Sequence, residues 1–156
     1  MHTAMHTRRE TLQYSLAVAG LLVSAGLMPS AAHAAYSKAL FDAKTPSEVY
    51  KALGASAPVE SKDVILTAPD IAENGAVVPL GVSTALSGVK ALLILVEKNP
   101  NTATALFHVS DAVEANFTTR AKLGQSSDVL AVAQMADGRL LFTKKEVKVT
   151  LGGCGG

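Results

Sequence analysis

The strongest constraint on the fold is a series of seven short strand-like segments between residues 63 and 151. Turn residues separate them, such as Asn99-Pro100-Asn101 and Asp137-Gly138. Short strands with regular turns over about 100 residues are typical of an antiparallel, immunoglobulin-like β-sandwich. We therefore predict an all-β fold, with a β-barrel as the alternative that the pattern leaves open. The seven segments are 63–67, 76–82, 89–97, 104–110, 115–123, 127–136 and 139–151.

A short helix is predicted before the strands. Thr45 is a favourable N-cap, and Pro46 stands at the first helical position. The helical pattern continues to Leu53 and ends at Gly54, a residue that commonly terminates helices. The sequence thus predicts an N-terminal helix packed on a β-sandwich.

One predicted strand is apolar at every position. Residues 91–96 read ALLILV, whereas a strand with one face in water alternates apolar and polar side chains. Both faces of this strand therefore need a cover. The sandwich core covers one face, and either the N-terminal helix or a partner subunit covers the other.

The N-terminus has the features of an export signal. Arg8 and Arg9 precede a mildly apolar run over residues 15–28, which is short for a membrane span. Ala32-His33-Ala34 then matches the small-x-small cleavage rule. The arginine pair resembles a twin-arginine (Tat) motif, although the general secretory route stays open. We predict export to the periplasm.

These features divide the chain into an export signal at 1–34, a β-sandwich domain at 35–151 and a flexible arm at 152–156. The chain has 14 Lys and Arg against 13 Asp and Glu, and the signal removes Arg8, Arg9 and Glu10. The mature chain is then formally neutral. Neutrality argues against a nucleic acid or an anionic membrane as partner.

Residues that would carry catalysis are scarce. His108 is the only histidine outside the signal, and it lies in an apolar strand. Asp70 and Glu73 are close enough to act as an acid/base pair, but Asn74-Gly75 beside them favours a structural turn. No spacing is typical of a metal site. We expect no catalytic residue, no metal and no cofactor.

The single cysteine stands close to the end of the chain. Cys154 is flanked by Gly152 and Gly153 on one side and by Gly155 and Gly156 on the other. An exported protein with one cysteine has a thiol that is free or bonded to another molecule. Neither a helix nor a histidine stands beside Cys154 to activate it. The arrangement favours an exposed attachment point on a thin arm rather than a nucleophile.

Two segments together resemble a known family. Asp70–Gly75 (DIAENG) and the terminal Gly-Gly-Cys-Gly-Gly are similar to SoxY, the sulfur-carrier subunit of bacterial Sox thiosulfate-oxidising systems. The resemblance implies an immunoglobulin-like fold and covalent attachment of sulfur intermediates to Cys154. It also implies a heterodimer with a SoxZ-type subunit. A c-type cytochrome, a thiosulfohydrolase and, in some organisms, a sulfane dehydrogenase would act on the cargo.

Two other functions stay open at this point. A ubiquitin-like sulfur carrier also ends in Gly-Gly, as Gly155-Gly156 does here, and carries sulfur as a thiocarboxylate. Its activation needs cytoplasmic ATP, which conflicts with the export signal. The other alternative is an interaction module that forms a disulfide homodimer through Cys154.

Overall fold

The computed structural model describes residues 37–55 and 57–150. These residues form two short helices and nine strands. Neither of the two helices is long and apolar enough to cross a membrane. The helices are α1 (Lys38–Phe41) and α2 (Pro46–Ala52). The strands are β1 (Val59–Glu60), β2 (Val64–Thr67), β3 (Ile71–Ala72), β4 (Val78–Thr84), β5 (Val89–Val96), β6 (Ala103–His108), β7 (Asn116–Ala121), β8 (Ser127–Met135) and β9 (Leu140–Val149).

Two sheets make up the described part of the chain. The larger sheet has the order β1-β9-β8-β5-β6, with β3 also paired to β9, and the smaller sheet has the order β2-β4-β7. The prediction of an immunoglobulin-like β-sandwich is confirmed. One detail differs, because β1 and β3 each pair with β9 in parallel while the other pairs are antiparallel. Each parallel pairing is only two residues long.

The main core lies between the two sheets. Alternate residues of β5 and β8 face those of β4, as the period of two along a strand requires. All of these side chains are buried. The principal members are Val78, Leu80, Val82, Leu92, Ile94, Val96, Val129, Ala131, Ala133 and Val147.

A second core lies on the opposite face of the larger sheet. Leu40 of α1 and Val49 of α2 are buried there against the other side of β5. The β5 residues concerned are Ala91, Leu93 and Leu95. The chain's own helices therefore cover the second face of the ALLILV strand. Of the two covers left open by the sequence, the structure shows the helical one, so this strand offers no exposed surface for self-association or for a partner.

Local chemistry explains why α2 forms where the sequence predicts it. The hydroxyl of Thr45 accepts a hydrogen bond from the Glu48 amide at 3.3 Å. The Glu48 carboxylate in turn accepts from the amide of Lys44 at 2.7 Å, an arrangement close to a capping box. Gly54 follows the helix with a φ of 67°, a left-handed conformation that favours glycine.

Candidate functional site

The predicted attachment residue lies outside the described residues. Cys154 and its neighbours Gly152, Gly153, Gly155 and Gly156 fall there, as does the predicted export signal. The described chain ends at Thr150, four residues before Cys154. The part of the site that the structure shows is therefore the surface at which β9 ends, which we call the tail root.

Backbone hydrogen bonds hold one edge of β9 at the tail root. The Lys148 amide donates to the Asp70 carbonyl at 3.0 Å, and the Thr150 amide donates to the Ala72 carbonyl at 3.1 Å. These bonds form the parallel pairing of β3 with β9, in which Ile71 lies opposite Lys148. The DIAENG segment thus lies directly beside the last described residues.

Two hydroxyl groups complete the tail root. The Thr150 hydroxyl donates to the Glu73 carbonyl at 3.1 Å. The Ser126 hydroxyl accepts a hydrogen bond from the Val149 amide at 2.9 Å. The sequence analysis did not identify Ser126 or Thr150. A serine in a loop and a threonine at a strand end give no signal until the fold places them together.

The DIAENG segment is itself tied to the body of the protein. The Asn74 side chain accepts from the Ala76 amide at 2.8 Å and closes a tight turn. The carbonyl of Gly75 accepts from the Leu123 amide at 2.7 Å. These bonds support the structural interpretation of this segment, in which Asn74-Gly75 forms a turn.

Asp70 is held by a cation rather than poised for proton transfer. Its carboxylate lies 2.8 Å from the Lys145 ammonium group, which also donates to the Ala68 carbonyl at 2.7 Å. The hydrogen bond and the charge of Lys145 lower the pKa of Asp70 below its ordinary value. A carboxylate with a lowered pKa is a poor base at neutral pH. The arrangement does not support an acid/base pair of Asp70 and Glu73.

No alternative catalytic centre is found in the described residues. His108 is exposed at the end of the edge strand β6, and no group of three or more His, Cys, Asp or Glu residues in residues 37–55 and 57–150 could hold a metal ion. A cleft of about 570 Å³ lies between the β4–β5 and β6–β7 loops. The cleft and the tail root lie at opposite ends of β8. Val89, which lines the cleft, pairs with Met135 at the end of β8, whereas Val147 near the tail root pairs with Ser127 at its start.

Comparisons with known proteins agree with this architecture. The family model "Sulfur oxidation protein SoxY" matches residues 49–154. The solved structure of the sulfur carrier protein SoxY from Chlorobium limicola f thiosulfatophilum is 33% identical, with a TM-score of 0.55, and the match covers 62% of this chain and 87% of that one.

A superoxide reductase (neelaredoxin) from Ignicoccus hospitalis is 18% identical, with a TM-score of 0.49, over 55% of this chain and 78% of its own. No curated protein sequence matches the chain. The family match spans more than half of the chain, from helix α2 through the two sheets to the cysteine. The chain therefore belongs to the SoxY family of sulfur oxidation proteins.

Proposed function

We propose that this chain is a periplasmic carrier that holds thiosulfate-derived intermediates covalently on Cys154 during their oxidation to sulfate. The observation that carries the proposal is the family match, which extends to residue 154 and so includes the tail cysteine. The relative from Chlorobium limicola is itself a sulfur carrier protein. The export signal predicted at 1–34 supports the periplasmic location.

The proposed loading step forms a disulfide-like bond between the Cys154 sulfur and the outer sulfur of thiosulfate. The thiol loses its proton, and two electrons pass to the haem groups of a c-type cytochrome. The product is cysteine S-thiosulfonate. A thiosulfohydrolase then catalyses the attack of water on the terminal sulfone. This hydrolysis releases sulfate and two protons, and it leaves a persulfide anion on Cys154. A sulfane dehydrogenase, where present, oxidises that sulfur to the sulfonate level. Three water molecules supply the oxygen atoms, and six electrons pass to a c-type cytochrome while six protons are released. A second hydrolysis then releases this sulfur as sulfate.

Partner enzymes, rather than this chain, would supply the catalysis. The sequence places neither a histidine nor a helix N-terminus beside Cys154 to lower the pKa of its thiol. From Thr150, four residues reach at most about 14 Å, at about 3.6 Å per residue. Gly152, Gly153, Gly155 and Gly156 would keep this arm thin and flexible. A thin arm of this length suits entry into a narrow active site.

A SoxZ-type subunit is the proposed partner in a heterodimer. Since helices α1 and α2 already cover β5, that subunit would bind another part of the surface. A disulfide between two copies through Cys154 would be a resting or side product. The neutral mature chain supports neither a nucleic acid nor a membrane as partner.

Mass spectrometry of the protein isolated from the periplasm tests this function. We expect a sulfur adduct on Cys154, and we expect the Cys154→Ser variant to lose both the adduct and thiosulfate-dependent cytochrome reduction with reconstituted partners. Its melting temperature should equal that of the wild type, because residue 154 follows the end of the last strand, Val149, by five residues. An adduct on the C-terminal carboxylate would identify a thiocarboxylate carrier instead. An unmodified protein under turnover would refute the carrier function.

A further inference from the structure

We propose that β3 and Ser126 form a clamp that fixes the point at which the tail leaves the body, and thereby sets the reach of Cys154. This inference rests on the proposed carrier function for its purpose, but its geometry is independent of sulfur chemistry. It assigns positioning roles to Ser126, Thr150 and the DIAENG segment.

The last three described amides are held alternately on the two edges of β9. The amides of Lys148 and Thr150 donate toward β3, whereas the Val149 amide donates to the Ser126 hydroxyl on the side of β8. The backbone pairing of β8 with β9 ends where Ser127 lies opposite Val147. The Ser126 side chain therefore adds one further bond beyond the end of that ladder.

β3 is suited to holding β9, and it contributes one side chain to the main core. It contains only Ile71 and Ala72, and its only strand partner among the described residues is β9. Ile71 remains 57% exposed, whereas Ala72 is buried in the main core. The residue after β3 is Glu73, and its carbonyl accepts a hydrogen bond from the Thr150 hydroxyl. This bond extends the pairing of β3 with β9 by one residue.

Both ends of the DIAENG segment are bonded to the rest of the protein. Lys145, from the middle of β9, holds Asp70 through its carboxylate and Ala68 through its carbonyl. At the other end the Leu123 amide holds Gly75. The segment is thus held on both sides of β3. This keeps the carbonyl groups of the segment in position to accept hydrogen bonds from β9.

The clamp determines how many residues separate Cys154 from a fixed point. When it is closed, the last of the described residues, Thr150, is hydrogen-bonded to the body, and four residues lead from it to the cysteine. When it is open, the half-buried Val149 is released from the edge of the main core together with its neighbours. The last buried residue is then Val147, and seven residues lead from it to the cysteine. For a glycine-rich chain the root-mean-square span rises from about 11 Å to about 15 Å. The effective concentration of the thiol at a docked enzyme then falls by about twofold.

Thr150→Val tests the clamp, because valine has the shape of threonine without the hydroxyl. Thr150→Ser keeps the hydroxyl and should behave as the wild type. Thr143→Val is the matched control on the same strand, since the hydroxyl of Thr143 makes no described hydrogen bond. Amide exchange of Lys148 and Thr150 should become between about twofold and tenfold faster in Thr150→Val only. The amides of Leu93 and Val132 in the sheet centre should not change.

A nitroxide attached to Cys154 measures the reach in the same full-length proteins. We expect the nitroxide to broaden the NMR signals of amides over a wider area of the protein in Thr150→Val than in the wild type. The area should be wider still in the double variant that adds Ser126→Ala. With the coupling cytochrome, KM should rise by about twofold at unchanged kcat, whereas the rate with a small neutral disulfide should stay constant.

Equal exchange and an equal nitroxide footprint in Thr150→Val and Thr150→Ser would overturn the clamp. If both differ while Cys154 carries no sulfur adduct in the periplasm, the clamp stands and the proposed carrier function fails.

Discussion

Replacing Val49 with alanine tests whether helix α2 is an integral cover of β5. The Val49 side chain is 0% exposed and packs against the face of β5 that carries Leu93 and Leu95. Removing two methyl groups forfeits about 1.6 kcal/mol of transfer free energy, at about 0.8 kcal/mol per buried carbon. A cavity of about 50 Å³ that does not collapse adds about 1.2 kcal/mol. The expected loss in the free energy of unfolding is therefore about 1.6 to 2.8 kcal/mol.

Thermal and denaturant unfolding of the isolated protein measure this loss. For a body of this size, each kcal/mol corresponds to about 4 °C, so the melting temperature should fall by about 6 to 11 °C. Val77→Ala is the matched control, because Val77 is 57% exposed. The control should cost less than about 0.5 kcal/mol. Equal effects of the two substitutions would show that α2 is not packed on β5 in the free protein, and that the cover must come from another chain.

Two further predictions concern the tail root and the tail. Since Lys145 lowers the pKa of Asp70, the stabilisation by this carboxylate is complete above its unfolded pKa of about 4 and is lost as the pH falls through the lower folded value. Lys148 amide exchange should thus be faster in Asp70→Asn than in wild type at neutral pH, and the difference should vanish once acid protonates Asp70 in the folded protein. A difference that persists in acid would contradict this. Gly153→Val and Gly155→Val stiffen and widen the tail, and should slow coupling by the cytochrome relative to a small thiol reagent at unchanged melting temperature. An unchanged ratio of the two rates would show that the glycines are not needed for entry into an active site.

The sequence predicted those elements whose determinants are local. Helix α2 begins at Pro46 as predicted and ends at Ala52, one residue before the predicted Leu53. The agreement is close because Thr45, Glu48 and Gly54 act within a few residues of the helix. The seven predicted strands all form, with ends shifted by up to two residues. β4, for example, begins at Val78 rather than at residue 76, since Ala76 belongs to the turn that Asn74 closes.

The elements that were missed span only about one period of their pattern, which is too short for a periodicity to show. Helix α1 has four residues, and β1 and β3 have two each. Their positions depend on partners far away in the sequence, as in the pairing of Ala72 with Val149. The same reason explains why the cover of β5 stayed ambiguous. The apolar run showed that a second cover was needed, but only the packing of α1 and α2 shows which one.

The candidate site divides in the same way. Cys154 stood out because its chemistry is unique in the chain and its glycine neighbours are unusual. The DIAENG segment stood out only as a resemblance and as a turn. Its place beside the last strand follows from the parallel pairing of β3, which no local pattern predicts.

Two demands on a carrier are met by different parts of this chain. A stable domain needs buried strands whose backbone groups are paired. Strands β5 and β8 meet this need, because both faces of the sheet are covered there. Cargo transfer needs a thiol at a defined but adjustable distance from that body. The adjustable length lies between Val147, which is buried, and Cys154. Three of those seven residues are hydrogen-bonded at the tail root, and the bonds involve only backbone groups and two hydroxyls. Such bonds cost little to open one at a time. The proposed change in reach would withdraw only the half-buried Val149 from the edge of the main core and leave the buried residues of β5 and β8 in place.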